Sequence, residues 1–480
     1  MEQTGLKTEN TKTEAIKREK QAKKSGRYFV TSTSCPVCDE LKFNLKASVE
    51  EKRGGRSLLD PARFSIHNWY TYAQTYSPEF VRYIIRKVGI SPGDLIIDPF
   101  AGTGTTLVEA KINGINSIGM EAINFLEFVS RVKTEWDICT DELNLLTEEI
   151  CETAKEEFFD DLHLLENLLQ SRTPELEKTE AYLEVLKKGY VSIKPLAKLL
   201  ALKRAIFELD CDKKIKELLI LALAGIIRPV SNMKFGPEIG RKRKLIEDAD
   251  VFRIFQNKVN TMIEDLRKVQ ALNLARCEVH IGDARNIETE VRKYFLFADY
   301  RENHIITSPP YPQDHDYTRS VRLELIILDF VKNKLDFRRM KERMIRSCTR
   351  NLYSTDHDRS YVEKFDEITT IAEKIDKRVK ESGGTSGFEK LYSRVVLEYF
   401  GGMYRFLLGA YDILSDGGTL TLLVGDSHAF KMTHIETAKL LELLAFDIGF
   451  KRSEVEVWRY IKSTAHNFPI PENILTLYKK

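Results

Sequence analysis

The chain has 480 residues, 42% of them apolar and 30% charged, with 74 Lys and Arg against 72 Asp and Glu for a formal charge of +2. That composition excludes collagen, mucin and wholly disordered chains, and the length predicts a large core with an insertion or second domain. The near-neutral total leaves nucleic acid open as a partner, because phosphate affinity depends on where positive charge clusters.

Residues 1–27 hold almost no large apolar side chains and are rich in Lys and Glu, which predicts a disordered, slightly basic tail. The tail lacks the apolar core of a signal peptide, and no run of about 18 apolar residues occurs, so a cytoplasmic protein without a membrane span is expected. Seven Cys without regular spacing fit reduced thiols. In the segment 28–66, Cys35 and Cys38 form a C-x-x-C pair, half of a zinc knuckle. No second pair follows and further ligands would have to be distant ones such as His67, so two ordinary thiols, with no metal, is the preferred reading.

Ser77 and Pro78 open a predicted helix as N-cap and first helical residue. From Asp94 short apolar runs alternate with turns and helices: DLIID at 94–98, NSIGM at 116–120, EVHI at 278–281, NHIIT at 303–307 and TLTLLV at 419–424. These predict buried, mostly parallel strands of a doubly wound α/β sheet. Between 137 and 275 the sequence is almost wholly helical, too long for a crossover, and is expected to be an inserted helical subdomain. The sheet domain is thereby split into 67–136 and 276–480, the latter holding a second insertion at 334–390.

Within DLIIDPFAGTGTTLVEA (94–110), a strand ends at Asp98, a turn holds Phe100, Ala101, Gly102, Thr103 and Gly104, and a helix begins near Thr105; Asp98, the five turn residues and Thr105 are the candidate cofactor-binding residues. Two glycines let a ligand approach backbone N–H groups at a helix start, which favour a carboxylate or phosphate. The patterns of a Rossmann dinucleotide site and of a P-loop are both missing here. Glu121 closes the next strand, where ribose hydroxyls sit in nucleotide-binding α/β folds, and Asp283 and Ala284 follow a third strand on the same sheet edge.

IITSPPYPQDHDYTR (305–319) is the most specific signal. An aromatic amine is a poor nucleophile because its lone pair is delocalised, so an enzyme must hold its N–H bonds with acceptors. The Ser308 hydroxyl and the Pro309 carbonyl can be those acceptors. Pro309 and Pro310 stiffen the loop, and Tyr311 offers a flat face to a base turned out of its helix. Asp314, His315 and Asp316 have the make-up of a metal cluster but are read as loop polarity or substrate contact.

Strand-DPFAGTGTT-helix together with strand-TSPPY resembles the amino-methyltransferases of DNA, which use S-adenosylmethionine to methylate N4 of cytosine or N6 of adenine. The resemblance implies a class I methyltransferase fold, with Phe100–Gly104 at the methionine end of the cofactor, Glu121 on the ribose and Asp283 on the adenine. It assigns Ser308, Pro309 and Tyr311 to the target base, and Ser at 308 leans toward cytosine N4. The cofactor loop precedes the catalytic loop, whereas many Ser-Pro-Pro-Tyr enzymes run in the reverse order, and the spacing from Glu121 to Asp283 is longer than usual. The partners implied are double-stranded DNA and a cognate restriction endonuclease. An RNA amino-methyltransferase and a non-catalytic, cofactor-sensing nucleic-acid binder are the alternatives. Two basic runs, Arg338, Arg339, Lys341, Arg343 and Arg346, and Arg241, Lys242, Arg243 and Lys244, are candidates for DNA contact, the first supplying base contacts from the 334–390 segment.

Overall fold

The computed structural model describes residues 65–170, 177–236, 240–272, 275–295, 300–383, 386–462 and 469–479. The tail at 1–27, Cys35 and Cys38 lie outside them. Seven strands form one sheet: β1 Leu95–Asp98, β2 Asn116–Glu121, β3 Cys277–Ile281, β4 Asn303–Thr307, β5 Thr419–Gly425, β6 Arg452–Lys462 and β7 Pro469–Tyr478. Their order is β3-β2-β1-β4-β5-β7-β6, and the first five pair in parallel, with Ile97 opposite both Ile118 and Ile305. This is the class I methyltransferase fold. Every residue of β1, β4 and β5 is buried, as expected of central parallel strands covered on both faces, whereas edge strand β3 buries only Val279. Residues 457–462 and 469–472 belong to a second unit, and the site described below is built from the other.

Around the sheet lie α1 Pro78–Val88, α2 Thr105–Ile112 and α3 Asn124–Lys133, then α4 Thr140–Gln170, α5 Glu177–Lys187, α6 Ile193–Glu208, α7 Lys213–Val230 and α8 Val251–Val269. Further on come α9 Ile287–Phe295, α10 Arg322–Ile327, α11 Lys334–Glu342, α12 Asp366–Glu381, α13 Tyr392–Ile413 and α14 Thr437–Ile448. The long helical stretch holds α4 to α8, and its apolar side chains join Trp69, Phe125, Trp136 and Leu325 in one continuous core. A second core packs Leu95, Ile305 and Leu422 against Phe400, Phe406 and Leu441 of α13 and α14. Two cores thus clamp the sheet, and the strand order reverses direction between β1 and β4, which opens a crevice at their C-terminal ends.

Candidate active site

The loops leaving β1 and β4 meet at Asp98, which is fully buried. Its Oδ1 accepts the Phe100 N–H at 3.1 Å and the Thr307 hydroxyl at 2.6 Å, and its Oδ2 accepts the Tyr76 hydroxyl at 2.6 Å. Burial pushes the carboxyl up while those three donors pull it down. Asp98 does not line the crevice. The expectation that it touches the cofactor is therefore corrected: it is a post that fixes the roots of both loops.

The crevice runs across four strand ends. Ser308 and Pro310 wall it beyond β4, Phe100 to Thr103 beyond β1, Glu121 to Ile123 beyond β2, and Gly282 and Ala284 beyond β3. Gly104 takes a left-handed φ of 81° at the N-cap of α2, and a Cβ there would lie 2.6 Å from the Ser130 hydroxyl, so no other residue fits. Gly104 and Thr105 stand behind the wall, Thr105 bonding Thr75 at 3.1 Å.

Glu121 is 9% exposed, and its two oxygens accept the Gly102 N–H at 2.8 Å and the Ile123 N–H at 2.9 Å. Burial raises its carboxyl to about 7 despite both amides. Asp283 lies between the two wall residues Gly282 and Ala284, and its oxygens are taken up locally, accepting Arg285 N–H, Nε–H and Nη2–H at 3.0, 2.9 and 2.6 Å. Arg285 in turn reaches Asp358 at 2.8 Å. These residues fit a nucleoside carrying an amino-acid tail: side-chain-free backbone at Gly102, an acceptor carboxyl at β2, and apolar walls from Phe100, Ile123 and Leu126. Methyltransferases of the family resembled use S-adenosylmethionine, which has that make-up.

On the catalytic loop, the Ser308 hydroxyl donates to the Leu423 carbonyl at 2.9 Å and lies 3.3 Å from the Tyr311 hydroxyl. With its proton held by Leu423, Ser308 offers only lone pairs to a newcomer other than Tyr311. Pro309 is buried, and one edge of the Tyr311 ring lies against Gly425, where a Cβ would come within 2.9 Å of it. The Tyr311 N–H donates to the Tyr317 hydroxyl at 2.9 Å, and the Tyr317 ring is itself a wall of the crevice. Burial pushes the Tyr317 phenol up to about 12, so it stays protonated.

Asp314 accepts from Thr349, and Asp316 binds Thr318 and Lys341. Among the described residues no group of three or more His, Cys, Asp or Glu is arranged to hold a metal, and His67 is paired with Glu109 at 2.9 Å.

The first basic run does not form one face. Arg338 and Arg339 are exposed, but Lys341 is ion-paired to buried Asp316 at 2.6 Å, and Arg343 lines the crevice. Arg346 is 3% exposed and forks onto Asp356 at 2.8 and 2.9 Å. DNA contact by Lys341, Arg343 and Arg346 is thus corrected, since each would have to abandon a buried or half-buried partner. In the second run Arg241, Arg243 and Lys244 are exposed, while Lys242 turns in to the carbonyls of Pro229 and Ser231.

Several wall residues were outside the set expected for the cofactor: Tyr72, Gln74, Thr75, Tyr317 and Arg343, the last of which was expected on DNA. The run YTYAQTYSP at 70–78, hydroxyls and aromatics packed together ahead of the N-cap of α1, carries a signal for the first three; nothing local marks Arg343.

A family profile described as DNA methylase matches residues 3–127. The type II methyltransferase M.BsoBI of Geobacillus stearothermophilus is 29% identical over 299 residues, 59% of this chain and 56% of its own length. Type II methyltransferase M.AvaI of Nostoc sp. is 21% identical over 424 residues, 82% of this chain and 80% of its own, and M.MjaII of Methanocaldococcus jannaschii is 39% identical over 70 residues, 15% and 13%. The chain thus spans little more than half the length of the first of these relatives. No solved structure matches. A cofactor-type loop and a Ser-Pro-Pro-Tyr loop rooted on one buried carboxylate, in a sheet of this order and with these relatives, make the chain similar to the N4/N6 amino-methyltransferases and support that family for it.

Proposed function

We propose that the protein is a type II DNA methyltransferase that transfers a methyl group from S-adenosylmethionine to an exocyclic base amine in double-stranded DNA, N4 of cytosine in preference to N6 of adenine. When bound, the cofactor supplies an electrophilic methyl group. Glu121 would hold the ribose hydroxyls and the backbone from Phe100 to Thr103 the amino-acid end, while Asp98 keeps that loop in register with the catalytic one. A base extruded from the duplex stacks on Tyr311, and its amino N–H bonds are accepted by Ser308 and the Pro309 carbonyl. Orienting the nitrogen lone pair toward the methyl supplies most of the acceleration, and the product amine then loses its proton to water.

The observation that carries this reading is Ser308, a wall of the cofactor crevice whose hydroxyl proton is already committed to Leu423. A serine so held can accept from an amine and does not need to act as a nucleophile. Exposed Arg338 and Arg339 on α11, with Arg241, Arg243 and Lys244, are the candidates for the DNA backbone, and 334–390 for base contacts. No described helix is long and apolar enough to cross a membrane, and a cytoplasmic site of action beside a cognate endonuclease completes the proposal. Digesting DNA treated with enzyme and cofactor to nucleosides tests it. N4-methylcytosine is the expected product; N6-methyladenine would overturn the choice of base, and unmodified DNA the activity.

A further inference from the structure

The crevice has a polarity set by its walls. The methyl group must lie beside Ser308, beyond β4, and the ribose beside Glu121, beyond β2, so the base of the nucleoside extends toward the ends of β2 and β3. At that end stands Arg343, on the stretch that follows α11. Its Nη2 donates to the Ala122 carbonyl at 3.1 Å and to Asn124 Oδ1 at 2.5 Å, which fixes the guanidinium just past Glu121. Its Nε–H is buried without a hydrogen-bond partner while the side chain lines the crevice. A buried donor left unmade is unfavourable, and a ligand acceptor would relieve it.

The acid that the family resemblance assigns to adenine is meanwhile occupied. Asp283 receives three N–H groups of Arg285, and Arg285 is locked on its other side by Asp358. An acid would recognise the 6-amino group of adenine, a donor; an arginine recognises a ring nitrogen, an acceptor. We infer that Arg343 is a cofactor-binding residue, its guanidinium donating to an acceptor on the adenine edge in place of Asp283. This rests on the cofactor reading above. It also means that the second insertion, through Arg343, Met344 and Ile345, builds one wall of the cofactor site.

Calorimetry on the full chain decides it, with two probes: S-adenosylhomocysteine and its analogue in which hydrogen replaces the 6-amino group. Losing one buried hydrogen bond to a charged donor should weaken binding of both probes to Arg343→Met by roughly tenfold. The wild type should bind the two probes with similar affinity. If Arg343→Met loses less than about threefold, or if the wild type discriminates between the probes by about tenfold, the assignment is overturned and Asp283 is restored. Should Arg343→Met fold poorly, Arg343→Lys, which keeps the charge but not the planar fork, is measured in the same way and held to the same threshold. Absence of any binding of S-adenosylhomocysteine by the wild type would instead overturn the cofactor reading itself.

Discussion

Thr307 donates its hydroxyl to Asp98 at 2.6 Å, joining the last residue of β4 to the last residue of β1 inside the protein. Since Tyr76 and the Phe100 N–H bond the same carboxylate, one side chain sets the spacing between the cofactor loop and the catalytic loop. Asp98→Ala should therefore damage both functions together. It strands three buried donors at about 1–3 kcal/mol each, so a lower melting temperature, weaker cofactor binding and lost transfer are expected in one variant. Calorimetry and a thermal melt check this; a variant defective in only one of the two functions would contradict it.

Glu121 gives the pH dependence. Burial holds its carboxyl near 7, so the ligand-free protein is largely protonated at pH 6 and ionised at pH 8. Ribose hydroxyls donate to the ionised form, so cofactor affinity should rise as pH rises through about 7 and fall by up to tenfold per unit below it. Glu121→Gln should flatten that profile and bind roughly tenfold more weakly at pH 8. An unchanged slope in the variant would reassign the titrating group.

Tyr317 separates binding from transfer. Tyr317→Phe keeps the crevice wall but removes the acceptor of the Tyr311 N–H, loosening the ring on which the base stacks. Turnover should fall by about tenfold, with S-adenosylhomocysteine affinity within about threefold of wild type. Wild-type turnover would show that the bond has no part in placing Tyr311.

The two arginine classes should behave oppositely. Arg346→Ala leaves Asp356 buried without its charge partner and should destabilise the fold by about 3–5 kcal/mol. Arg338→Glu with Arg339→Glu should leave the melting temperature nearly unchanged, weaken DNA binding and make the loss with salt less steep, because fewer counterions are released. Melting curves and binding isotherms at two salt concentrations distinguish them.

The strands at 94–98, 116–120, 278–281, 303–307 and 419–424 were legible because buried parallel strands must be continuous apolar runs, and the structure has them within a residue or so. The two loops were legible because Gly104 and the Pro309–Pro310 pair answer to local backbone geometry. β6, in which charged and apolar residues alternate from Glu454 to Val457, carries no such run. The direction of Lys341, Arg343 and Arg346 was not legible for another reason. α11 ends at Glu342, so helical spacing stops describing Arg343 and Arg346, and the acids that draw Lys341 and Arg346 inward, Asp316 and Asp356, lie on other segments. Charge runs show what a segment carries and not where the partners are. Asp98 illustrates the same limit: its position at a strand end was plain, but the three donors that claim it come from three places in the chain.

Ser308 is the side chain on which methyl transfer should depend and cofactor binding should not. Single-turnover transfer of a labelled methyl group from S-adenosylmethionine to duplex DNA should be readily detected for the wild type. For Ser308→Ala it should fall by roughly two orders of magnitude or more, while the cofactor dissociation constant measured on the same sample stays within a few-fold. Transfer at the wild-type rate by Ser308→Ala would contradict the assignment of the catalytic loop.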